Sequence, residues 1–166
     1  MNKTEELLEQ LEEDKKEYLP QIERVFKRIK KKKPKKLDAF VHNVHDEVFE
    51  EIDCLSCGNC CKSLGPRITD VDISKMAKHL RIKPSKVVTD YLVLDEDNDY
   101  VFKSMPCPFL MPDNYCMIYD SRPKACREYP HTDRKKFFQL LDLSILNLDT
   151  CPAVMEISKA IVKEFS

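Results

Sequence analysis

Eight cysteines are the residues of this chain whose type and spacing could support chemistry. The first four form two overlapping C-x-x-C units with one further thiol directly after the second. A C-x-x-C turn brings two thiolates around one ion, and Gly58 permits the positive φ angle that such a turn often needs. The predicted metal ligands are Cys54, Cys57, Cys60, Cys61, Cys107, Cys116, Cys126 and Cys151.

Two other uses of cysteine fit the chain less well. Cysteines are 8 of 166 residues, about 5%, which is below the roughly 8–10% typical of short disulfide scaffolds. A thioredoxin-type redox pair is a single C-x-x-C after a strand in a βαβ unit, and no such pattern surrounds this cluster. Reduced thiols are available for metal. Metal binding is therefore favoured over disulfides and over scattered core cysteines.

The number of thiols bears on the kind of metal centre. A tetrahedral zinc takes four ligands, so eight cysteines allow two four-ligand sites, or one iron–sulfur cluster with a separate zinc. Adjacent Cys60 and Cys61 point in different directions, which favours two neighbouring centres or one polynuclear centre. The predicted cofactor is zinc or iron, as mononuclear ions or as an iron–sulfur cluster.

Thiolate centres carry negative charge that the surrounding residues must balance. Four thiolates on a divalent ion leave two negative charges, and burying them costs several kcal/mol unless cations or hydrogen-bond donors compensate. Five cations lie beside the cysteines in sequence and could do this, namely Lys62, Arg67, Arg122, Lys124 and Arg127.

Histidines are weaker candidates than cysteines. His42 and His45 fall one helical turn apart, but surface or packing roles are commoner on an amphipathic helix. His131 follows Cys126 by five residues and stays a weaker candidate as well. With only two glycines, a Gly-rich phosphate loop is excluded, and no Ser, His and Asp arrangement stands out. Any catalysis would have to come from the metal, and whether the chain is an enzyme stays open.

The elements that must position these cysteines are mainly helical. Thr4 to Lys33 is free of helix breakers except Pro20, which predicts one kinked helix or two short ones. A second helix is predicted over 37–52. After the dense cysteine cluster, Thr69 with Asp72 resembles a capping box that opens a third helix, and Pro84 begins a fourth.

The second half of the chain mixes short elements with loops. Apolar triplets at 92–94 and 100–102 flank an acidic turn and predict a β-hairpin. The stretch 106–130 is rich in proline and loops. Phe137 to Leu148 is strongly apolar, and its period leaves strand and helix open. Pro152 begins a last, amphipathic helix.

The predicted fold class is mainly α, a small helical domain with a proline- and cysteine-rich metal-bound loop region and one short β-hairpin. The predicted domains are a charged helical segment over 1–36 and a cysteine-cluster metal-binding domain over 37–166. A net charge of −1 and 34% charged residues indicate a globular chain without a preferred charged partner.

The sequence also supports expectations about the location and the partners of the protein. No apolar run reaches the roughly 18 residues of a membrane span, and the acidic start is unlike a signal peptide, so the expected location is the cytoplasm. The basic run from Lys27 to Lys36 is interpreted as a solvated helix end. No aromatic residue interleaves with it, so nucleic acid is not an expected partner. A protein partner or substrate stays open.

The residues from Cys54 to Pro130 resemble the cysteine-cluster family known as YkgJ or CxxCxxCC, a zinc- or iron-chelating domain. The matching segments are Cys54-x-x-Cys57-Gly58-x-Cys60-Cys61, Ile68-Thr69-x-x-Asp72-Ile73, Cys107-Pro108-Phe109-Leu110 and Cys116-x-Ile118-Tyr119-x-x-Arg122-Pro123-x-x-Cys126-Arg127-x-Tyr129-Pro130. Cys151-Pro152 looks like the family's later cysteine.

The resemblance implies a metal-chelating or iron–sulfur role, for which two hypotheses stay open. One is a binding or structural metal module with zinc or iron. The other is an iron–sulfur enzyme acting on protein side chains, such as a lysine N-methylase-like activity, because family members include parts of longer methylase-like proteins. The motif-borne Tyr119, Arg122 and Arg127 would then contact the metal ligands or a substrate, or Tyr119 and Arg122 would lock the proline-rich loop.

Overall fold

A computed structural model describes all residues from 1 to 166, and it confirms the mainly α fold class with one short hairpin. Nine helices make up most of the structure. They are α1 (Lys3–Lys32), α2 (Leu37–Glu51), α3 (Cys54–Cys57), α4 (Asn59–Ser63), α5 (Asp70–Leu80), α6 (Pro84–Tyr91), α7 (Lys124–Glu128), α8 (Leu141–Asn147) and α9 (Pro152–Phe165). The strands are β1 (Leu92–Leu94) and β2 (Tyr100–Phe102), and single 3₁₀ turns occupy Tyr119–Ser121 and Phe137–Gln139.

The chain divides into two compact units. The first, called here the terminal unit, consists of Met1–Cys57 and Pro130–Ser166, and the second, the central unit, is Gly58–Tyr129. The division predicted at residue 36 stays a prediction. No helix in either unit has both the length and the apolar composition needed to cross a membrane.

The terminal unit is built on α1, which is one continuous helix of 30 residues. Its start is fixed by a capping box between Asn2 and Glu5. Pro20 lies on the exposed side, where the carbonyl group that loses its helical partner can bond to water instead. Together with α2, α8 and α9, this helix encloses an apolar core. Its fully buried members include Ile22, Phe26, Ile29, Leu37, Val41, Leu141, Ile157 and Ile161.

The apolar stretch over 137–148 is helical, which settles what the sequence left open. The carboxylate of Asp38 accepts hydrogen bonds from the backbone N–H groups of Lys136 at 2.7 Å and Phe137 at 2.9 Å. Lys136 has a positive φ of 56°. This contact with α2 starts the 3₁₀ turn and α8, and it buries Phe137.

The central unit packs α5 and α6 against the hairpin of β1 and β2. The predicted capping box is confirmed, because Thr69 accepts the Asp72 N–H and Asp72 in turn accepts the Thr69 N–H. The hairpin is confirmed as well, with Leu92 paired to Phe102 and Leu94 to Tyr100. The core side chains are Ile68, Ile73, Met76, Ala77, Val87, Leu92, Phe102, Phe109 and Ile118.

The loop region after the hairpin has little regular structure and is attached to this core at two points. Phe109 and Ile118 are 2% and 1% exposed. Between them, the Met117 N–H donates to the Phe109 carbonyl at 2.9 Å, and Leu110 forms a bridge with Cys116. These contacts position the backbone that carries the later cysteines.

Candidate metal centre

Backbone contacts connect the segments of the central unit that carry its cysteines. The five cysteines of this unit are Cys60, Cys61, Cys107, Cys116 and Cys126. The Cys107 N–H donates to the Cys61 carbonyl at 2.8 Å, which ties the loop to α4. The Cys126 N–H donates to the Pro123 carbonyl at 3.0 Å within the first turn of α7.

A residue 52 positions earlier in the chain, Asp72, holds the start of α7. One carboxylate oxygen of Asp72 accepts the Lys124 N–H at 3.0 Å, while the other accepts the N–H and hydroxyl of Thr69. Burial alone would raise the pKa of Asp72, but these hydrogen bonds and the positive charge of Arg127 outweigh it, so that its pKa is lowered. Asp72 therefore fixes α7, and with it Cys126, to the start of α5.

Four of these thiols lie close enough for their charges to interact. Burial, together with negative charge on Cys61, Cys107 and Cys116, raises the pKa of Cys126 to about 12. Burial also raises the pKa of Cys107 to about 11, with added effects from Cys61 and Cys116. The thiols of Cys61, Cys107, Cys116 and Cys126 thus form one electrostatic group.

Cys61 differs from the other members of this group. A hydrogen bond from the Cys60 thiol and the positive charges of Arg122 and Lys62 outweigh the effect of burial and lower its pKa to about 7. Near neutral pH, Cys61 is therefore the thiol of the group that most readily becomes a thiolate, the form that binds metal.

Backbone N–H groups supply further stabilisation for negative sulfur. The N–H groups of Phe109 and Leu110 hydrogen-bond to Cys107 and lower its pKa, and the N–H of Ile118 does the same for Cys116, although burial dominates at both sites and the net pKa is raised. Donors directed at sulfur satisfy a metal-bound thiolate that would otherwise be buried without partners.

Arg122 is the predicted cation that the structure places among these thiols. Its guanidinium lies 3.7 Å from the ring centroid of Tyr119, and its Nε donates to the Tyr119 carbonyl at 2.8 Å. Arg127 donates to the Arg122 carbonyl at 2.8 Å. So fixed, the Arg122 charge lowers the pKa of Cys61 and opposes the effect of burial on Cys116 and Cys126.

Two of the other predicted cations have acidic partners. Arg67 forms an ion pair with Asp99 at 2.9 Å, and Lys124 lies 3.7 Å from Glu128. Of the five cations, Arg122 and Lys62 are the ones whose charges lower the pKa of Cys61.

Gly58 has the positive φ angle expected for it, at 58°. A Cβ atom at this position would lie 2.9 Å from Cγ of Asn114 and 3.0 Å from its Cβ. The sequence predicts the backbone conformation but gives no sign of the close approach of Asn114. Both features require glycine at the start of α4, directly before the Cys60–Cys61 pair.

The remaining three cysteines, Cys54, Cys57 and Cys151, belong to the terminal unit. Cys54 and Cys57 are the ends of the single-turn helix α3, and Cys151 is the N-cap residue of α9. Burial, together with negative charge on Cys54 and Cys57, raises the pKa of Cys151 to about 12, against the opposing effect of the backbone N–H groups of Val154 and Ala153. Negative charge on Cys54 or Cys57 therefore acts against ionisation of Cys151.

Histidines 42 and 45 have other partners in the terminal unit. His42 Nε2 lies 3.0 Å from the Arg134 carbonyl oxygen. His45 Nδ1 lies 2.7 Å from the Thr132 hydroxyl, and its ring packs against Phe49 with centroids 4.5 Å apart. These contacts connect both histidines to the segment over 132–134.

The donor set fits zinc or iron. All eight cysteines are free of disulfides, and soft thiolate ligands select zinc, iron–sulfur clusters or copper(I). The side chains as they stand include no group of three or more Cys, His, Asp or Glu residues arranged to hold an ion. Metal binding by these residues therefore requires a change in the positions of their side chains.

The fold and the grouped thiols define a small α-rich protein of the cysteine-cluster class. The sequence model of the CxxCxxCC family, described as "Putative zinc- or iron-chelating domain", matches residues 53–144. The match covers more than half of the chain, so the chain belongs to this family, as the sequence resemblance predicted. No curated protein and no solved structure matches the chain.

Proposed function

We propose that this chain chelates zinc or iron through cysteine thiolates, and that Cys61, Cys107, Cys116 and Cys126 form a four-thiolate centre in the central unit. Cys54, Cys57, Cys60 and Cys151 supply the other four of the eight proposed ligands. The observation that carries the proposal is that four thiols come from separate segments of one unit, and that the charges of Cys61, Cys107 and Cys116 raise the pKa of Cys126.

The charges around this centre support the proposal. A divalent ion with four thiolates has a net charge of −2, and desolvating it is costly unless cations lie near. Arg122 and Lys62 supply two positive charges that act on Cys61. The backbone N–H groups directed at Cys107 and Cys116 add neutral donors. The surroundings of the thiols are therefore suited to a doubly negative metal centre.

A four-thiolate site favours a binding or structural role for the metal. Closed four-cysteine coordination leaves no open position on the ion, whereas a catalytic zinc keeps one for water or substrate. When bound, the ion would act as a cross-link between α4, the loop over 103–118 and α7. An iron–sulfur enzyme acting on protein side chains is the second hypothesis, and the metal content distinguishes the two.

The test is elemental analysis of the full chain purified without oxygen. We expect stoichiometric zinc or iron, colourless with zinc and brown with an iron–sulfur cluster. The Cys126→Ser variant should lose metal from the central unit. Ala125→Ser is the matched control, because it places a hydroxyl beside Cys126 on α7 without removing the sulfur. A chain that contains neither metal, and binds neither on anaerobic titration, contradicts the proposal.

A further inference from the structure

Two basic segments that are far apart in the sequence meet on the terminal unit. The first covers residues 27–36, of which eight are lysine or arginine, and the second covers residues 134–136, all three of them basic. Asp38, in the first turn of α2, accepts the last backbone N–H of the second segment at 2.7 Å. Lys33 Nζ lies 5.1 Å from the ring centroid of Phe138. The two segments therefore form one surface, called here the basic cluster.

Most of the charge in the basic cluster is not neutralised within the chain. Every lysine and arginine of both segments is exposed. Lys30 forms an ion pair with Asp142 at 2.6 Å, and Lys36 forms one with Glu164 at 3.0 Å. The other seven lysines of the cluster form no ion pair with an acidic side chain. Because the whole chain has a net charge of −1, this positive charge is a local concentration, and it favours an extended anionic partner.

Two of these lysines occupy backbone positions that favour glycine. Lys33, the C-cap residue of α1, has a φ of 45°, and Lys136 has a φ of 56°. A side chain in this left-handed region strains the backbone, and glycine avoids the strain. The two charges are therefore present at a cost in backbone energy, which is a reason to look for a role for them.

The composition of the basic cluster favours a phospholipid surface over nucleic acid. Nine of its eleven cations are lysine, whereas base recognition mostly uses the planar fork of arginine. Lys33 lies over the ring of Phe138. In the same way, Lys36 lies over the ring of Phe165 at 5.7 Å. These ring faces are covered by ammonium groups and are not open to stacking by bases.

Exposed apolar side chains border the cluster. Asp142, the partner of Lys30, lies in the first turn of α8. Leu143 and Leu146 follow it on one side of that helix and are 37% and 68% exposed. Lysines beside exposed apolar side chains suit the boundary between the headgroups and the acyl chains of a bilayer.

We propose that the basic cluster binds the phosphate groups of anionic phospholipids and holds the terminal unit against a bilayer surface. Each lysine close to such a surface strengthens binding about fivefold. Salt weakens this binding, because the interaction is between exposed charges. The metal centre of the central unit takes no part in it.

The test is cosedimentation of the full chain, as purified with its metal, with vesicles of phosphatidylcholine, with or without phosphatidylserine. We expect binding only to the vesicles that contain phosphatidylserine, and weaker binding as the salt concentration rises. Lys33→Gly and Lys136→Gly should each weaken binding about fivefold, and the double variant about twenty-five-fold. Glycine keeps the backbone N–H at both positions and removes the left-handed strain, so these variants should be at least as stable as wild type.

Arg81→Gly is the matched control. Arg81 is the C-cap residue of α5 in the central unit and has a φ of 56°, so the change removes one positive charge at the same kind of helix end outside the basic cluster. It should leave binding unchanged. The inference is wrong if Arg81→Gly weakens binding as much as Lys33→Gly, or if phosphatidylserine does not increase binding. It is also wrong if single-stranded RNA or duplex DNA binds the chain more tightly than these vesicles at the same salt concentration.

Discussion

Replacement of Gly58 by alanine should destabilise the central unit through two separable effects. Gly58 has a φ angle of 58°, and an alanine in this left-handed region costs about 1–2 kcal/mol. The lower entropy of the unfolded alanine chain offsets about 0.4–1 kcal/mol of that. The new Cβ would also lie 2.9 Å from Cγ of Asn114, and overpacking of this kind costs about 1–3 kcal/mol. We expect a total loss of about 1–4 kcal/mol, most of it from the contact with Asn114.

Tyrosine fluorescence in urea is the appropriate assay for this change. Five of the six tyrosines lie within Gly58–Tyr129 and the chain has no tryptophan, so the signal reports mainly on the central unit. Gly65→Ala is the matched control, because a Cβ at Gly65 would meet nothing within 4 Å. Its free energy of unfolding should equal that of wild type or exceed it slightly.

A second substitution separates the clash from the backbone strain. Asn114 has a φ of 65°, which glycine adopts readily, so Asn114→Gly removes the side chain without straining the loop. In that background, Gly58→Ala should cost only about 1 kcal/mol. If its effect is as large with Asn114→Gly as without it, or if Gly58→Ala is as stable as Gly65→Ala, the account of this position is wrong.

Four further predictions concern the same unit. Asp72→Asn should lower the free energy of unfolding by about 1–3 kcal/mol, because the carboxylate accepts hydrogen bonds from both Thr69 and the start of α7. Asp70→Asn, at an exposed position of the same turn, is the control and should have little effect. Because the pKa of Asp72 is lowered by folding, its contribution in wild type should be complete above about pH 4 and be lost as the pH falls below that value, as acid titration of the unfolding curve would show. Arg122→Gln should weaken zinc binding about tenfold, as measured in competition with a chelator. Arg122→Lys should restore most of this loss, and Arg67→Gln should cause none. Equal losses in Arg122→Gln and Arg122→Lys would show that the positive charge of Arg122 is not its role. Chelation of the metal should change tyrosine fluorescence while most of the helical circular dichroism persists, and an unchanged tyrosine signal would contradict a structural role for the ion in the central unit.

Sequence patterns a few residues long predicted the helices whose starts depend only on neighbouring residues. The Thr69 hydroxyl and the Asp72 carboxylate lie within a stretch of four residues and form the capping box that begins α5, and Pro152 begins α9. The type of structure over 137–148 could not be predicted, because the hydrogen bonds that start it come from Asp38, 98 residues before Lys136. Pro20 was expected to kink α1 or to divide it into two helices; α1 is one helix, with Pro20 at an exposed position within it.

The same distinction applies to the candidate site. The spacing of the first four cysteines identifies them as predicted ligands, but spacing alone assigns no partners to the later ones. The effect of charge on Cys54 and Cys57 on the pKa of Cys151 connects residues that lie far apart in the sequence. The attachment of α7 to Asp72 spans 52 residues and has no signal in the sequence. The assignment of thiols to centres is therefore a tertiary property.

The cores of the two units explain why metal should matter more to one than to the other. The terminal unit buries fifteen apolar residues from α1, α2, α9 and the segment between α7 and α9. In the central unit, seven of the nine core residues lie between Ile68 and Phe102, and the segment that carries Cys107, Cys116 and Cys126 contributes only Phe109 and Ile118. Two buried side chains, each contributing about 1.5–3 kcal/mol, offset the conformational entropy of only a few residues. Bonds from three sulfurs of this segment to one ion would supply the missing constraint, which is the physical reason to expect metal and fold to be coupled there.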